Sequence, residues 1–390
     1  MYPIQPDLLA TSLGCGHSLK LYGGDYEFLR AQQPISPAEQ PQRTLRAVDL
    51  FSGCGGLSLG VREACTEQNL NFELLAAVDN DPAAVSCIQK NLQPRDVISK
   101  NVEDVLNKNS EDYDRLIKIN HHSGIDLLVA GPPCQGNSDL NNYTRRQDPK
   151  NKLYTYVAIA ASMLRPNVII SENVLGVRRD KGSSLQETKN SLLAQGYYIT
   201  EQIVHLADIG VAQRRKRHIV LASKFPIDDI ATLLVPFYFD RRNVEWAIGD
   251  LEDVIGERID IRPSTPSSEN GRRIRYLFEH DIFELPNDER PPCHRDKKQT
   301  YKTIYGRLRW DKPAQTITSG FYSMCMGRYV HPSKLRTLTA REAARLQFFP
   351  DYYDFEPAGN RTALSRLIGN AVPPKLSYAL ASALIKKGAL

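Results

Sequence analysis

Between residues 46 and 222 short apolar runs alternate with stretches of helical pattern, and this alternation constrains the fold of the 390-residue chain more than any other property. Runs suited to strands fall at 47–51, 74–78, 125–130, 168–171, 197–204 and 218–222, with helical stretches at 57–69, 82–91, 153–164 and 185–194 between several of them. Strand and helix in alternation predict an α/β fold: a mostly parallel, doubly wound sheet covered on both faces. Residues 45–223 form this domain. After about Lys224 the alternation stops, and residues 224–335 are richer in proline, charge and irregular segments; they read as a second, smaller module. Helical patterns return at 340–347 and 374–387, so residues 336–390 read as a return to the first domain. Residues 1–44 show little periodicity and carry a Pro/Gln-rich stretch, and they read as an N-terminal extension.

Open α/β sheets bind ligands outside the carboxyl ends of their strands, and the residues at those ends are informative. The first strand ends Val48-Asp49-Leu50-Phe51 and runs into Ser52-Gly53-Cys54-Gly55-Gly56. A glycine turn before a helix lets backbone approach a ligand and aims N–H groups at it. The spacing is neither G-x-G-x-x-G nor that of a P-loop, which disfavours a dinucleotide or phosphate site. The second strand ends Val78-Asp79-Asn80-Asp81, where an acid can hold both hydroxyls of a ribose. Together these point to a nucleoside-containing cofactor with no required pyrophosphate.

The third informative strand, Ile125–Ala130, is stopped by Gly131-Pro132-Pro133, because proline fixes φ and has no N–H to donate. Cys134 then stands on a stiff loop at a strand end. A lone cysteine is more often an inert buried hydrophobe than a nucleophile, yet it is also the side chain best able to attack carbon near neutral pH. Ser171-Glu172-Asn173-Val174 closes another strand; a carboxylate held there can act as an acid, or be an ordinary surface glutamate. Gln213-Arg214-Arg215-Lys216-Arg217 precedes the 218–222 run and could hold a phosphate or a base edge. Gly369-Asn370-Ala371-Val372-Pro373-Pro374 is a turn leading into the last helix.

Composition excludes some classes. No uninterrupted apolar stretch approaches bilayer length, and the N-terminus lacks the basic and apolar regions of a secretory signal; a cytoplasmic protein is expected. Seven cysteines without a C-x-x-C pair argue against a disulfide framework and a zinc site, so no metal is expected. The net charge of +5 suits a polyanion only mildly. Its distribution says more: Arg214–Arg217, then Arg272, Arg273 and Arg275, then six cations between 295 and 309 including Arg307 and Arg309. Each cluster is equally well a solvated face.

The order Asp49-Leu50-Phe51-Ser52-Gly53-Cys54-Gly55-Gly56, Gly131-Pro132-Pro133-Cys134-Gln135, Glu172-Asn173-Val174, Gln213-Arg214-Arg215-Lys216-Arg217, Arg341-Glu342-Ala343-Ala344-Arg345-Leu346-Gln347 and Gly369-Asn370-Ala371-Val372-Pro373-Pro374 resembles that of the DNA (cytosine-5)-methyltransferases of the prokaryotic restriction–modification type. The resemblance covers residues 46–385 except the middle module. It implies a Rossmann-like methyltransferase fold with S-adenosyl-L-methionine as cofactor and S-adenosyl-L-homocysteine as product. Phe51 would pack on the adenine, and Gly53, Gly55 and Gly56 would face the amino-acid part, with Asp49 in the same motif. Asp79 would take the ribose hydroxyls; Asn80, Asn101, Pro132, Asn370 and Val372 would complete the pocket. Cys134 would be the nucleophile and Glu172 its acid partner, with Arg215 and Arg217 holding the target base and the cysteine loop. Because C6 of cytosine is stacked in a duplex, the base would be flipped out.

Two positions depart from the family. Asn101 stands where aspartate is frequent, opposite the adenine amino group, and Asn137-Ser138 follow Gly136 where Phe-Ser is frequent. Gln135, Asn137 and Ser138 would lie near the flipped base. Residues 224–335 would be the target-recognition domain, whose sequence preference the resemblance does not transfer. In it Arg272, Arg273 and Arg275 are candidates for reading guanine, and Arg307 and Arg309 for approaching the backbone, phosphate contact being the commoner role. A tRNA cytosine-5 methyltransferase would carry a Cys-Phe-Thr signature that is absent here; a catalytically dead DNA-binding regulator would lack Cys134 or Glu172; an amino-nitrogen methyltransferase would carry an aromatic residue in place of Cys134. The expected partner is double-stranded DNA, with a cognate restriction endonuclease encoded separately, and a monomer is expected.

Overall fold

The computed structural model describes residues 23–36, 39–133, 149–179, 183–295 and 304–390. Among the described residues seven strands form one sheet: β1 (Thr44–Leu50), β2 (Asn71–Val78), β3 (Asp96–Ile98), β4 (Leu127–Ala130), β5 (Val168–Asn173), β6 (Tyr198–His205) and β7 (Lys216–Ser223), in the spatial order β3-β2-β1-β4-β5-β7-β6. Strands β3, β2, β1, β4 and β5 pair in parallel, whereas β7 runs against both β5 and β6. The sheet therefore is doubly wound and mostly parallel, as the alternation predicts. β4 and β5 are buried along their whole length, which is why they read as continuous apolar runs.

The helices in chain order are α1 (Asp25–Arg30), α2 (Gly56–Glu67), α3 (Pro82–Leu92), α4 (Val102–Val105), α5 (Glu111–Ser123), α6 (Tyr156–Leu164), α7 (Ser184–Ala194), α8 (Ile230–Leu234), α9 (Val244–Ile248), α10 (Ser268–Glu279), α11 (Pro292–Arg295), α12 (Ala340–Leu346), α13 (Arg361–Asn370) and α14 (Pro374–Lys386). The side-chain alternation of β1 divides them into layers. Leu45 and Ala47 face a core shared with α2, α8 and α14, and Val48 and Leu50 face one shared with α5 and α6. Local chemistry sets the ends: Asp81 caps α3 by accepting from the Ala83 N–H with Pro82 at the first turn, and Thr339 and Glu342 form a reciprocal capping box on α12.

Several boundaries differ from the sequence reading. β5 continues through Glu172 and Asn173, and β7 begins at Lys216, so Glu172 and Arg217 stand on the strands themselves. The pattern at 153–164 is a 3₁₀ segment, Pro149–Thr155, followed by α6. β3 is three residues long, too short for a periodic signal, and α5 is rich in polar residues. The change at Lys224 is one of pattern and not of core. Ile230, Leu233, Leu234 and Phe237 pack with β1 and α14, and Val244, Ala247 and Ile248 pack with α12 and α13. A separate small core appears later, from Ile274, Leu277, Leu285, Ile304, Tyr305, Met324 and Val330. The segment ahead of β1 is also bound in: α1 buries Phe28 and Leu29, Phe28 stacks on Phe348, and Asp25 receives Lys375 Nζ at 2.7 Å and Arg242 Nη1 at 2.6 Å.

Helices α2 and α14 pack in close contact. A Cβ placed on Gly60 would come within 2.0 Å of the Pro374 carbonyl oxygen and 2.2 Å of Ser377 Oγ, and Ser377 Oγ donates to the Leu57 carbonyl at 2.7 Å. Backbone cannot yield as a flexible side chain would. Gly60→Ala is expected to lower the unfolding free energy by roughly 1–3 kcal/mol through overpacking, measured by urea denaturation.

Candidate active site

The strand order reverses between β1 and β4, and the crevice such a reversal creates opens at the carboxyl ends of β1, β2, β4 and β5. At the end of β1 the chain turns sharply: Phe51, Gly53 and Gly55 all have positive φ, at 57°, 53° and 78°. The Ser52 N–H bonds the Val78 carbonyl at 3.1 Å, and the Gly53 N–H bonds Asp79 Oδ2 at 2.8 Å. The other oxygen of Asp79 accepts from the Asp81 N–H at 2.9 Å. Asp79 thus splints the glycine turn to the end of β2, and each oxygen keeps a lone pair for a ligand hydroxyl. Burial raises its pKa, and the two N–H donors oppose the rise.

A Cβ on Gly53 would meet no atom of the described residues within 4 Å. α2 is capped by Gly55 in the left-handed conformation, with no side-chain hydrogen bond to its first N–H groups. Beside the turn, Asn80 Nδ2 donates to Asn101 Oδ1 at 2.8 Å, and Asn101 Nδ2 donates to Asp104 Oδ2 at 3.0 Å. Asn370 is exposed at the end of α13, and the following Val372 places its carbonyl 2.2 Å from where a Gly56 Cβ would stand. An open glycine turn with a free helix start, a ribose-height carboxylate, an amide pair and the apolar Phe51 and Pro132 fit a nucleoside-bearing amino acid such as S-adenosylmethionine. Asp49 does not line this surface. It is buried beneath the turn, where Ser58 Oγ donates to its Oδ2 at 2.5 Å while Oδ1 has no hydrogen-bond partner among the described residues.

Across β4, a Cβ on Gly131 would lie 3.7 Å from the Phe51 carbonyl oxygen and 4.0 Å from Glu172 Oε2, so the glycine turn and the end of β5 flank the same strand end. Glu172 is buried, and Arg217 Nε lies 2.5 Å from its Oε1. Burial pushes the Arg217 pKa down and Glu172 opposes that push. Arg215, on the same run, has other hydrogen-bond partners. It is buried, and its Nη1 donates to the carbonyls of Ile317 at 2.9 Å and Gly369 at 3.4 Å. Burial and the neighbouring Arg217 lower its pKa well below the usual value. Of the two arginines expected at the target base, Arg217 touches the candidate acid, and Arg215 fastens two segments behind it. Cys134, Gln135, Asn137 and Ser138 lie outside the described residues.

The expected DNA-reading arginines separate in the same way. Arg273 is buried, donating to the Glu289 carbonyl, Asn270 and Glu269 at 3.1–3.2 Å. Arg307 bonds the Pro332 carbonyl at 2.8 Å and stacks over Phe278 and Phe283. Both are engaged within the module and are not displayed. Arg272, Arg275 and Arg309 are exposed; Arg272 pairs with Glu289 at 2.6 Å and Arg309 with Asp311 at 3.1 Å. Sequence reasoning missed three positioning groups. Asn173 Nδ2 holds the Pro132 carbonyl at 3.2 Å. Gln213 is fully buried and bonds Gln347, the Leu346 carbonyl and the Ile317 N–H. Asp104 orients Asn101. The first two lie inside runs that the sequence singled out; Asp104 had no signal beyond its spacing from Asn101.

The fold and the cleft together define a doubly wound α/β protein with a ligand crevice at its switch point. Comparison with known proteins narrows this. Residues 45–386 match the model of the C-5 cytosine-specific DNA methylases. The chain is 45% identical over 352 residues to the type II methyltransferase M1.BsuMI of Bacillus subtilis, an alignment that takes in 88% of this chain and 81% of that protein. It is 31% identical to the type II methylase M.HgiDII of Herpetosiphon aurantiacus over 86% of this chain and 94% of that one. The fold superimposes on the S. pombe Dnmt2 methyltransferase with a TM-score of 0.62 at 18% identity, covering 88% of this chain and 99% of that one. The chain belongs to the C-5 cytosine-specific DNA methylase family and is a DNA methyltransferase. Among the described residues no helix is long and apolar enough to cross a membrane.

Asp49 gives the apoprotein a pH signature. Burial raises its pKa to about 7, against a smaller lowering by Ser58. A carboxylate raised in the folded state binds its proton more tightly there than in the unfolded chain, so its contribution is fully present below about pH 4 and is lost as pH climbs to 7. Asp49→Asn is expected to remove roughly 2–4 kcal/mol of the fall in unfolding free energy between pH 5 and 8, read from denaturant titrations at each pH.

Proposed function

We propose that the enzyme methylates C5 of cytosine within one short sequence of duplex DNA, on a base flipped out of the helix, through a covalent bond between Cys134 and C6. The observation that carries this reading is the buried Glu172–Arg217 pair at the end of β5, beside the strand end from which the Gly131-Pro132-Pro133-Cys134 loop departs. C5 of cytosine is a poor nucleophile. Addition of the Cys134 thiolate to C6 makes C5 an enamine carbon, splitting one hard step into two easier ones. Glu172 shares a proton with N3 of the ring and neutralises the charge that develops there. Arg217 keeps the Glu172 carboxyl in place and faces the same ring. S-adenosylmethionine, when bound, supplies an electrophilic methyl group and leaves as S-adenosylhomocysteine. A base then takes the C5 proton, and elimination returns the cysteine.

In this reading Phe51, Gly53, Gly55, Gly56, Asp79, Asn80, Asn101, Pro132, Asn370 and Val372 hold the cofactor. Asp49 supports the turn from below. Gln135, Asn137 and Ser138 stand near the flipped base. Removing a base from its stack costs a few kcal/mol, and phosphate contacts from Arg272, Arg275 and Arg309 can offset it. The module centred on the small core around Ile274 and Val330 recognises the target sequence. The relatives are named type II enzymes, which supports a restriction–modification role with a separately encoded endonuclease. One site per chain suits a monomer.

Labelled methyl transfer from S-adenosylmethionine to unmethylated duplex DNA and to tRNA, followed by base-resolution mapping, tests the reading. Label on duplex cytosine at one short motif is expected. Cys134→Ser should abolish it, and Glu172→Gln should slow it by roughly 10²–10⁴-fold. Label confined to tRNA, or transfer surviving in Cys134→Ser, would overturn the proposal.

A further inference from the structure

The amide of Asn101 is held from both sides. A carboxylate can only accept, so the 3.0 Å contact with Asp104 Oδ2 requires the Nδ2 of Asn101 on that side. Its Oδ1 then faces the opposite way and takes the Asn80 Nδ2 hydrogen at 2.8 Å. Rotating the amide by half a turn would set oxygen against carboxylate on one side and two NH₂ groups against each other on the other. The spacing is rigid, because the N–H groups of Asp104 and Val105 both bond the Asn101 carbonyl at 3.1 Å. The oxygen of Asn101 has two lone pairs and Asn80 occupies one.

We propose that Asp104 is a positioning residue that locks the Asn101 oxygen toward the nucleobase of the cofactor, so that the pocket selects a purine bearing an amino group over one bearing a carbonyl at the same place. The inference rests on the reading of this cleft as the S-adenosylmethionine site. It explains how an asparagine serves where either oxygen of an aspartate would accept without any orienting partner. A free amide could turn its NH₂ outward and accept a 6-oxo purine; a locked one cannot, and it leaves that carbonyl facing another acceptor. Polar groups held in this way reject the wrong partner more strongly than they attract the right one.

The test is calorimetric binding of S-adenosylhomocysteine and of its deaminated counterpart, S-inosylhomocysteine, to the full chain. The wild type is expected to prefer the adenosyl compound by about tenfold, one hydrogen bond gained and one acceptor clash avoided. Asp104→Ala should cut that preference by about three- to fivefold, mostly by tighter binding of the inosyl compound. Adding Asn101→Asp to Asp104→Ala should restore the preference, since a carboxylate presents an acceptor in either orientation; a merely structural role for Asp104 would give no such rescue. An unchanged preference in Asp104→Ala, a failure of the rescue, or a wild type that binds both compounds equally would overturn the inference and leave the cofactor site standing. A wild type that binds neither compound would remove the cofactor reading itself.

Discussion

The architecture depends on the seating of the last helix against the first one after the glycine turn. α14 approaches α2 so closely that Gly60 leaves no room for a methyl group against the Pro374 carbonyl, and Gly56 leaves none against that of Val372. Ser377 adds a hydrogen bond to the Leu57 carbonyl. Two helices at this separation fix the turn between α13 and α14, which carries Asn370 and Val372, over the end of β1. The glycines at 56 and 60 therefore serve close approach, while those at 53 and 55 serve positive φ; the single glycine-rich run contains both uses.

Charge is handled by pairing wherever it is buried, because an unpaired ion in the interior costs several kcal/mol. Arg341 is held by Asp260, Arg345 by Asp250 and Asp351, and Lys375 by Asp25. Burial alone would raise the pKa of Glu342, but His331 and Arg336 beside it hold it down to about 2. Arg341–Asp260, Arg345–Asp250 and Lys375–Asp25 join segments far apart in sequence. The exceptions lie around the site. Among the described residues one oxygen of Asp49 has no hydrogen-bond partner, and Arg215 bonds carbonyls while a carboxylate sits on its neighbour Arg217. The departure from pairing marks where the fold accommodates chemistry in place of maximal stability.

Much of this was legible in the sequence. Strand ends announce themselves where an apolar run meets glycine, proline or acid, and so the turn at 51–56, Asp79, the Gly131-Pro132-Pro133 stop and Glu172 were all located by pattern. What pattern cannot give is the direction of a side chain. Arg215 lies just ahead of β7 and Arg217 is its second residue; the first bonds the carbonyls of Ile317 and Gly369 and the second meets Glu172, a difference that their shared sequence run does not reveal. Arg272, Arg273 and Arg275 look alike in sequence, yet the helical turn buries Arg273 and exposes the others. The change of pattern near Lys224 has a related cause: α8 and α9 are five residues each, too short for a periodic signal, and their packing on α14 and α12 shows which core they serve.

The buried pair of Asp25 and Lys375 joins residues 350 positions apart. A ribosome delivers the first of these long before the second. Until Arg242 is made α1 has no partner for its buried carboxylate, and the face of α2 that will receive α14 stays bare longer still. The sheet can assemble as its strands emerge, but the cleft beside the glycine turn stays without its roof until residues 369–386 leave the exit tunnel. A chain cut short of residue 369 therefore lacks the segment that carries Asn370 and Val372 beside the glycine turn.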